Sequence, residues 1–264
     1  MLLSNLPSII NIKKKYNYNQ NKIFSSITSN SKFTDKNTIL IYDKNSNSKK
    51  KYIEEAVKNK IPAIISNKYL NFTSVPQFIV ADINQETQLL LKSIFKKLPY
   101  RSLAVTGTNG KTSVVWYISQ ILSLLNYNNS TVGTLGHFIN GKKKNDNYLT
   151  TPAYEELYKY GYTKKKHNLI YVFEASSHAL DQNRLRNYPI HIAAITNISN
   201  DHLDYHKKLS EYKKAKMKLF TKHLDKNGLA IINSRLKNKL ILKENIAKKG
   251  IKIKYFGKDY VHLN

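Results

Sequence analysis

The chain has 264 residues, 41% of them hydrophobic, and a formal net charge of +27. That length admits one large domain or two ordinary ones and is enough to bury a substantial core. With no cysteine, disulfides and thiolate metal sites are excluded, which fits a reducing compartment. The charge raises the question of a nucleic-acid partner. The lysines, however, are scattered in short runs, at 13–15, 49–51, 142–144 and 164–166, and do not form one stripe interleaved with aromatic residues. They read as solvated faces and loops whose positive field attracts anionic substrates. No apolar run approaches the roughly 18 residues needed to cross a bilayer. The start, Met1 to Ile12, lacks a basic leader and a small-residue cleavage site. The expectation is a cytoplasmic monomer with no membrane or specific nucleic-acid partner.

In chain order, residues 1–98 read as a small α/β domain. Thr38 to Tyr42 is a short buried strand, and Lys50 to Asn59 places Ile53, Ala56 and Val57 on one helical face. Ala63 to Ser66 and Gln77 to Val80 are further strands, and Gln85 to Leu98 is an amphipathic helix closed by Pro99. A second domain, 99–264, opens with a strand at Ser102 to Thr106, a glycine loop, and a helix from Lys111 to about Leu125. Strands follow at Leu169 to Glu174, Ile190 to Thr196 and Gly228 to Asn233, with a helix at Leu209 to His223. This alternation predicts a doubly wound, mostly parallel sheet of the P-loop ATPase kind. Asn140 to Asn147 reads as an exposed turn or loop. Lys252 to Phe256 looks like another strand, so the second domain is expected to be incomplete.

Three stretches carry chemistry. In Thr106-Gly107-Thr108-Asn109-Gly110-Lys111-Thr112, glycines between a buried strand and a helix let backbone N–H groups approach phosphates, and the helix start adds a favourable dipole. Lys111 is placed to reach terminal phosphates and the Thr112 hydroxyl to bind Mg²⁺. Val105 stands where the full phosphate-loop pattern has its first glycine. In Glu174-Ala175-Ser176-Ser177-His178, Glu174 ends an apolar strand at the edge where open α/β sheets bind ligands, and its carboxylate suits a hard cation. In the run from Thr196 to His206, His202 follows a buried strand and is a candidate metal ligand or proton carrier. Lys216 follows on a helix, beside Met217, Leu219 and Phe220.

The words GTNGKTS, LTTP (Leu149 to Pro152), EASSHAL, QNR (Gln182 to Arg184), TNISNDHLDYH and EYKKAKMKLF closely resemble the Mur ligases. They are most similar to the branch that adds the third residue to UDP-N-acetylmuramoyl-L-alanyl-D-glutamate. The resemblance is dense over residues 101–235. It is weaker in the first domain, through Ile27 to Phe33 and Tyr52 to Asn59.

The resemblance implies ATP-dependent amide formation through an acyl phosphate, in peptidoglycan synthesis. Gly107, Thr108, Asn109, Gly110, Lys111 and Thr112 would hold ATP. Thr112, Glu174, His202 and a carbamylated Lys216 would serve Mg²⁺, with Lys111, His202 and Lys216 catalytic. Thr150, Thr151, Ser176, Gln182 and Arg184 would hold the muramoyl dipeptide, and Ser31 the uridine nucleotide in the first, UDP-sugar-binding-like domain. The second substrate would be a diamino acid, diaminopimelate before lysine, and the family's third, C-terminal domain is not found in the sequence. Two departures stand out: Asn30-Ser31-Lys32 replaces the family's Asp-Ser-Arg, and Asn200 replaces an Arg. The rival readings are another Mur or folylpolyglutamate-type ligase, and a basic nucleic-acid-binding protein with a vestigial nucleotide site.

Overall fold

The structure is a computed structural model describing residues 1–45, 49–147, 149–162, 168–199, 203–236, 244, 246–247 and 249–257, with backbone alone at 203–204. The chain divides into two compact units, Met1–Lys96 and Lys97–Asn264. Among the described residues no helix is long and apolar enough to cross a membrane.

The first unit holds a five-stranded sheet. Strands β2 (Ser26–Thr28), β3 (Thr38–Tyr42), β4 (Ile64–Ser66) and β5 (Gln77–Val80) run parallel, and β1 (Ile12–Tyr16) pairs antiparallel with β5 to close one edge. Helix α1 (Lys50–Lys58) turns Ile53 and Ala56 against Leu40, Ile61, Ile64 and Leu70. Fully burying a side chain the size of Ile53 is worth roughly 2 kcal/mol. Helix α2 spans Ile83–Ile94. It begins before the expected Gln85 because the Asp82 carboxylate caps the Asn84 and Gln85 N–H groups at 2.9 and 3.0 Å. It ends before Pro99, where Phe95, its ring buried, turns the chain out of the helix.

The second unit is built on an eight-stranded sheet of order β13-β12-β11-β6-β10-β7-β8-β9. Six of these are parallel: β6 (Arg101–Thr106), β7 (Asn129–Gly133), β10 (Ile170–Glu174), β11 (Ile190–Ile195), β12 (Leu224–Asn233) and β13 (Lys252–Phe256). The hairpin β8 (Gly136–Ile139) and β9 (Lys142–Asn145) adds an antiparallel edge. This corrects the loop expected at 140–147: three successive lysines conceal a strand because no face of it is buried. The lysine runs of β1 and β9 both lie on edge strands, where charge discourages pairing with another chain.

Helix α3 (Lys111–Leu124) packs Val115, Val114, Ile118 and Leu122 on Leu103, Val105, Ile170 and Val172, joining β6 and β10 to the helix that follows the glycine loop. Two short helices, α4 (Tyr154–Gly161) and α5 (Ser177–Asp181), precede and follow β10; α6 (Leu203–His206) and α7 (Leu209–Lys218) precede β12. The expected single helix to His223 instead changes, after Lys218, into a π-helical turn at Leu219–His223. The wider turn buries Leu219, Phe220 and His223 together.

From β6 the chain runs through α3 to β7 on one side; from β10 it crosses to β11 on the other. The carboxyl ends of β6, β10 and β11 therefore surround the place where the winding reverses, the crevice in which such sheets bind ligands.

Candidate active site

The loop 107–110 leaves β6 at that crevice. Gly107 has φ +148° and Gly110 has φ +83°, the latter capping α3. A Cβ at Gly107 would meet Thr196 Oγ1 at 1.9 Å, so only glycine lets the loop lie against the end of β11. That neighbour clamps the loop throughout. Thr108 N donates to Asn197 O at 3.0 Å, Asn109 N to Asn197 Oδ1 at 3.0 Å, and Ser199 N to Thr108 Oγ1 at 3.0 Å. Thr196 Oγ1 and Asn197 Nδ2 both donate to Asn109 O, at 2.6 and 3.0 Å. These roles of Thr196, Asn197 and Ser199 are not assigned by the sequence reading, although the residues lie inside a recognised word.

Lys111 stays within the loop, its Nζ donating to Gly107 O at 3.0 Å and Thr108 O at 2.9 Å. Lys216 reaches the same carbonyl from α7: its Nζ donates to Gly107 O at 2.7 Å, and the residue is only 1% exposed. Among the described lysines and arginines, this one is set apart by its burial.

At the other side of the loop, Thr112 Oγ1 donates to Glu174 Oε2 at 2.9 Å. Glu174 is 1% exposed, and its other oxygen accepts Thr134 N at 2.7 Å. A Cβ at Gly133 would meet Glu174 Oε1 at 2.1 Å, so β7 must end in glycine for the carboxylate to lie here. Neither Gly133 nor Thr134 is found by motif; both act through backbone geometry. The two converging groups are oxygen donors, the set a hard cation such as Mg²⁺ takes. Among the described residues no three His, Asp or Glu side chains gather as a metal-binding cluster. His202, the remaining metal candidate, lies outside the described residues.

The expected substrate residues form a second group beside the first. Thr151 Oγ1 donates to Glu174 O at 2.8 Å and accepts Ser176 N at 2.8 Å; Ser176 Oγ in turn caps α5 by accepting Ala179 N. Arg184 Nη1 donates to Thr151 O at 3.1 Å, and its Nε and Nη2 hold Gln182 Oε1 at 2.9 and 2.5 Å. Burial lowers the Arg184 pKa from its ordinary value, as desolvation must for a cation. Thr150 Oγ1 accepts from Thr134 Oγ1 at 3.4 Å. Asp181 joins this group to α7 through Lys218 Nζ at 2.7 Å, a hydrogen bond that lowers the Asp181 pKa. Ser31 belongs to the first unit. There it is buried at the start of a 3-10 turn, its Oγ donating to Glu55 Oε2 of α1 at 2.5 Å.

A family model described as the Mur ligase middle domain matches residues 105–263. The chain belongs to the Mur ligase family. It is 36% identical over 253 residues to a UDP-N-acetylmuramoyl-L-alanyl-D-glutamate--2,6-diaminopimelate ligase of Rickettsia bellii, covering 93% of this chain and 51% of that one. It is 33% identical over 237 residues to the ligase of the same description from Buchnera aphidicola subsp. Schizaphis graminum, covering 84% and 47%. A solved structure with that ligase's description superposes with a TM-score of 0.67 at 27% identity, covering 90% of this chain and 49% of the other. MurF from Acinetobacter baumannii shares the fold, with a TM-score of 0.64 at 20% identity. This Mur ligase chain spans about half the length of the curated relatives it matches.

Proposed function

We propose that this Mur ligase chain belongs to an ATP-dependent ligase that joins diaminopimelate to UDP-N-acetylmuramoyl-L-alanyl-D-glutamate in peptidoglycan synthesis. The observation that carries the reading is the buried Lys216, whose head group meets the glycine loop at the Gly107 carbonyl. A surface lysine has no reason to be there. That the Rickettsia and Buchnera relatives are described as 2,6-diaminopimelate ligases supports diaminopimelate over lysine.

In this reading the substrate carboxylate attacks the γ-phosphate of ATP, giving an acyl phosphate and ADP. The incoming amine then displaces phosphate and forms the amide. Two anions must approach in the first step, so positive charge is needed between them. Gly107 to Thr112 hold the nucleotide, with Lys111 swinging from the loop carbonyls to its phosphates. Thr112 and Glu174 would hold Mg²⁺, together with His202 and a carbamylated Lys216; the ion would neutralise phosphate charge. Carbamylation turns Lys216 from a cation that repels the metal into a carboxylate-like ligand. Arg184, held by Gln182 and Thr151, offers a planar fork to a substrate carboxylate or phosphate. Ser31 would meet the uridine nucleotide, which requires its hydroxyl to exchange Glu55 for the ligand.

The chain is mixed with ADP and Mg²⁺, and separately with the UDP-muramoyl dipeptide, in a calorimeter. Saturable binding of both is expected. Failure to bind ADP–Mg²⁺ would overturn the reading. In the protein that includes the remainder of its relatives' length, product mass after incubation with diaminopimelate or L-lysine decides the amino acid.

A further inference from the structure

Helix α7 presents Tyr212 and Lys216 one turn apart, on the same face. The Lys216 Nζ lies over the Tyr212 ring, 4.4 Å from its centroid. Tyr212 is fully buried, and its hydroxyl hydrogen-bonds Thr108 Oγ1 at 3.0 Å. Thr108 Oγ1 is also the acceptor for Ser199 N, so one hydroxyl ties the glycine loop, the segment after β11 and α7 together. The Tyr212 ring also meets His206, with centroids 5.4 Å apart, and His206 in turn meets His178 of α5 at 5.7 Å.

Packed on the Lys216 Nζ where both residues are buried, the Tyr212 ring walls that nitrogen in, whether it is an ammonium or carries a carbamate. The ring also limits where a long, flexible lysine can place its head. We infer that Tyr212 is a positioning residue: its ring seats the Lys216 head group against the loop, while its hydroxyl fixes the loop through Thr108. One side chain thereby sets the distance between Lys216 and whatever the loop holds. The inference rests on reading the loop as a nucleotide site.

The test uses the 264-residue chain labelled with ¹³C at lysine Cε, in ¹H–¹³C spectra and in ADP–Mg²⁺ titrations. One lysine Cε methylene is expected upfield of the rest, shifted by the ring current, and Lys216→Met should remove that signal. Tyr212→Phe keeps the ring and loses the hydroxyl. It should retain the upfield signal and weaken ADP–Mg²⁺ by about three- to tenfold, the effect of one hydrogen bond. Tyr212→Leu, where it folds, should return the signal to the ordinary lysine position. If no lysine signal is shifted, or if Tyr212→Phe binds ADP–Mg²⁺ as the unaltered chain does while Lys111→Ala does not bind, Tyr212 has no positioning role and the nucleotide reading stands. If the unaltered chain itself fails to bind ADP–Mg²⁺, both fall, and the pattern distinguishes the two failures.

Discussion

The Glu174 carboxylate occupies the space that a side chain on Gly133 would fill, with Oε1 2.1 Å from the position of a Cβ there. Gly133 ends β7 in a backbone conformation open to other residues, so its requirement is steric. Gly133→Ala is expected to fold, to push Glu174 off Thr112 and Thr134, and to reduce the Mg²⁺-dependent part of ADP affinity by about 10-fold or more, the usual effect of disturbing a group that orients metal ligands. ADP titrations with and without Mg²⁺ check this. An unchanged Mg²⁺ dependence would remove Glu174 from the metal site.

Lys111 and Lys143 test whether charge acts locally. Lys111 bonds two carbonyls of the loop, whereas Lys143 sits exposed on β9 in an ion pair with Asp146 at 2.6 Å. Lys111→Ala should abolish measurable binding of an ATP analogue, and Lys143→Ala should leave it within about twofold, as expected for an exposed pair. Equal losses would mean that the positive field acts diffusely.

Lys216 carries a chemical signature. In ¹³C-bicarbonate, one carbamate carbon is expected in the ¹³C spectrum of the chain and should vanish in Lys216→Ala. A spectrum with no such carbon, or one that survives the substitution, would place the modification elsewhere or nowhere.

Acid should destabilise the second unit through two histidines. Burial is the main cause that lowers His137 and His223 from 6.5 to about 4, aided by nearby lysines. Because the folded values lie below the unfolded one, the unfolded chain binds the protons first. Stability is full above pH 6.5 and is lost as pH falls towards 4, by roughly 3 kcal/mol per histidine at the limit. Urea unfolding at pH 7.5, 5.5 and 4.5 should show the decline, and a His137→Leu variant should show less of it. A flat profile over that range would contradict the burial of both rings.

The lysine runs on the edge strands have a different purpose. Replacing Lys142, Lys143 and Lys144 by Thr leaves a bare β9 edge and should raise aggregation, read by light scattering, without changing ADP affinity. If solubility is unaltered, those charges do not guard the edge.

Apolar strands flanked by turn residues were legible in the sequence: β3 and β5 match their expected bounds, and β6, β10 and β11 fall within a residue or two. β7 was not, because Asn129, Ser130 and Thr131 are polar and yet buried. Their side chains are satisfied internally, Asn129 by Ser119, Ser123 and Tyr127, and Ser130 by the Tyr160 carbonyl. Composition cannot report a partner that only the fold supplies. The same division holds at the site. Lys111, Thr112, Glu174 and Lys216 have side chains whose chemistry suggests a role. Gly133 and Thr134 work through an absent Cβ and a backbone N–H, and Asn197 through an amide and a carbonyl that clamp the loop; no letter announces these roles.

Most of the described lysines extend into water, where salt at physiological strength screens them beyond about 8 Å. At Gly107 the situation is different. Two lysines donate to one oxygen, and one of them is out of water. Ionic strength should therefore separate two kinds of anion binding. Polyanions gathered by the exposed lysines should be released as salt rises, while a phosphate held by the glycine loop, Lys111 and the start of α3 should stay. A chain with a charge of +27 would thus attract anions indiscriminately at a distance and still select among them at a single loop.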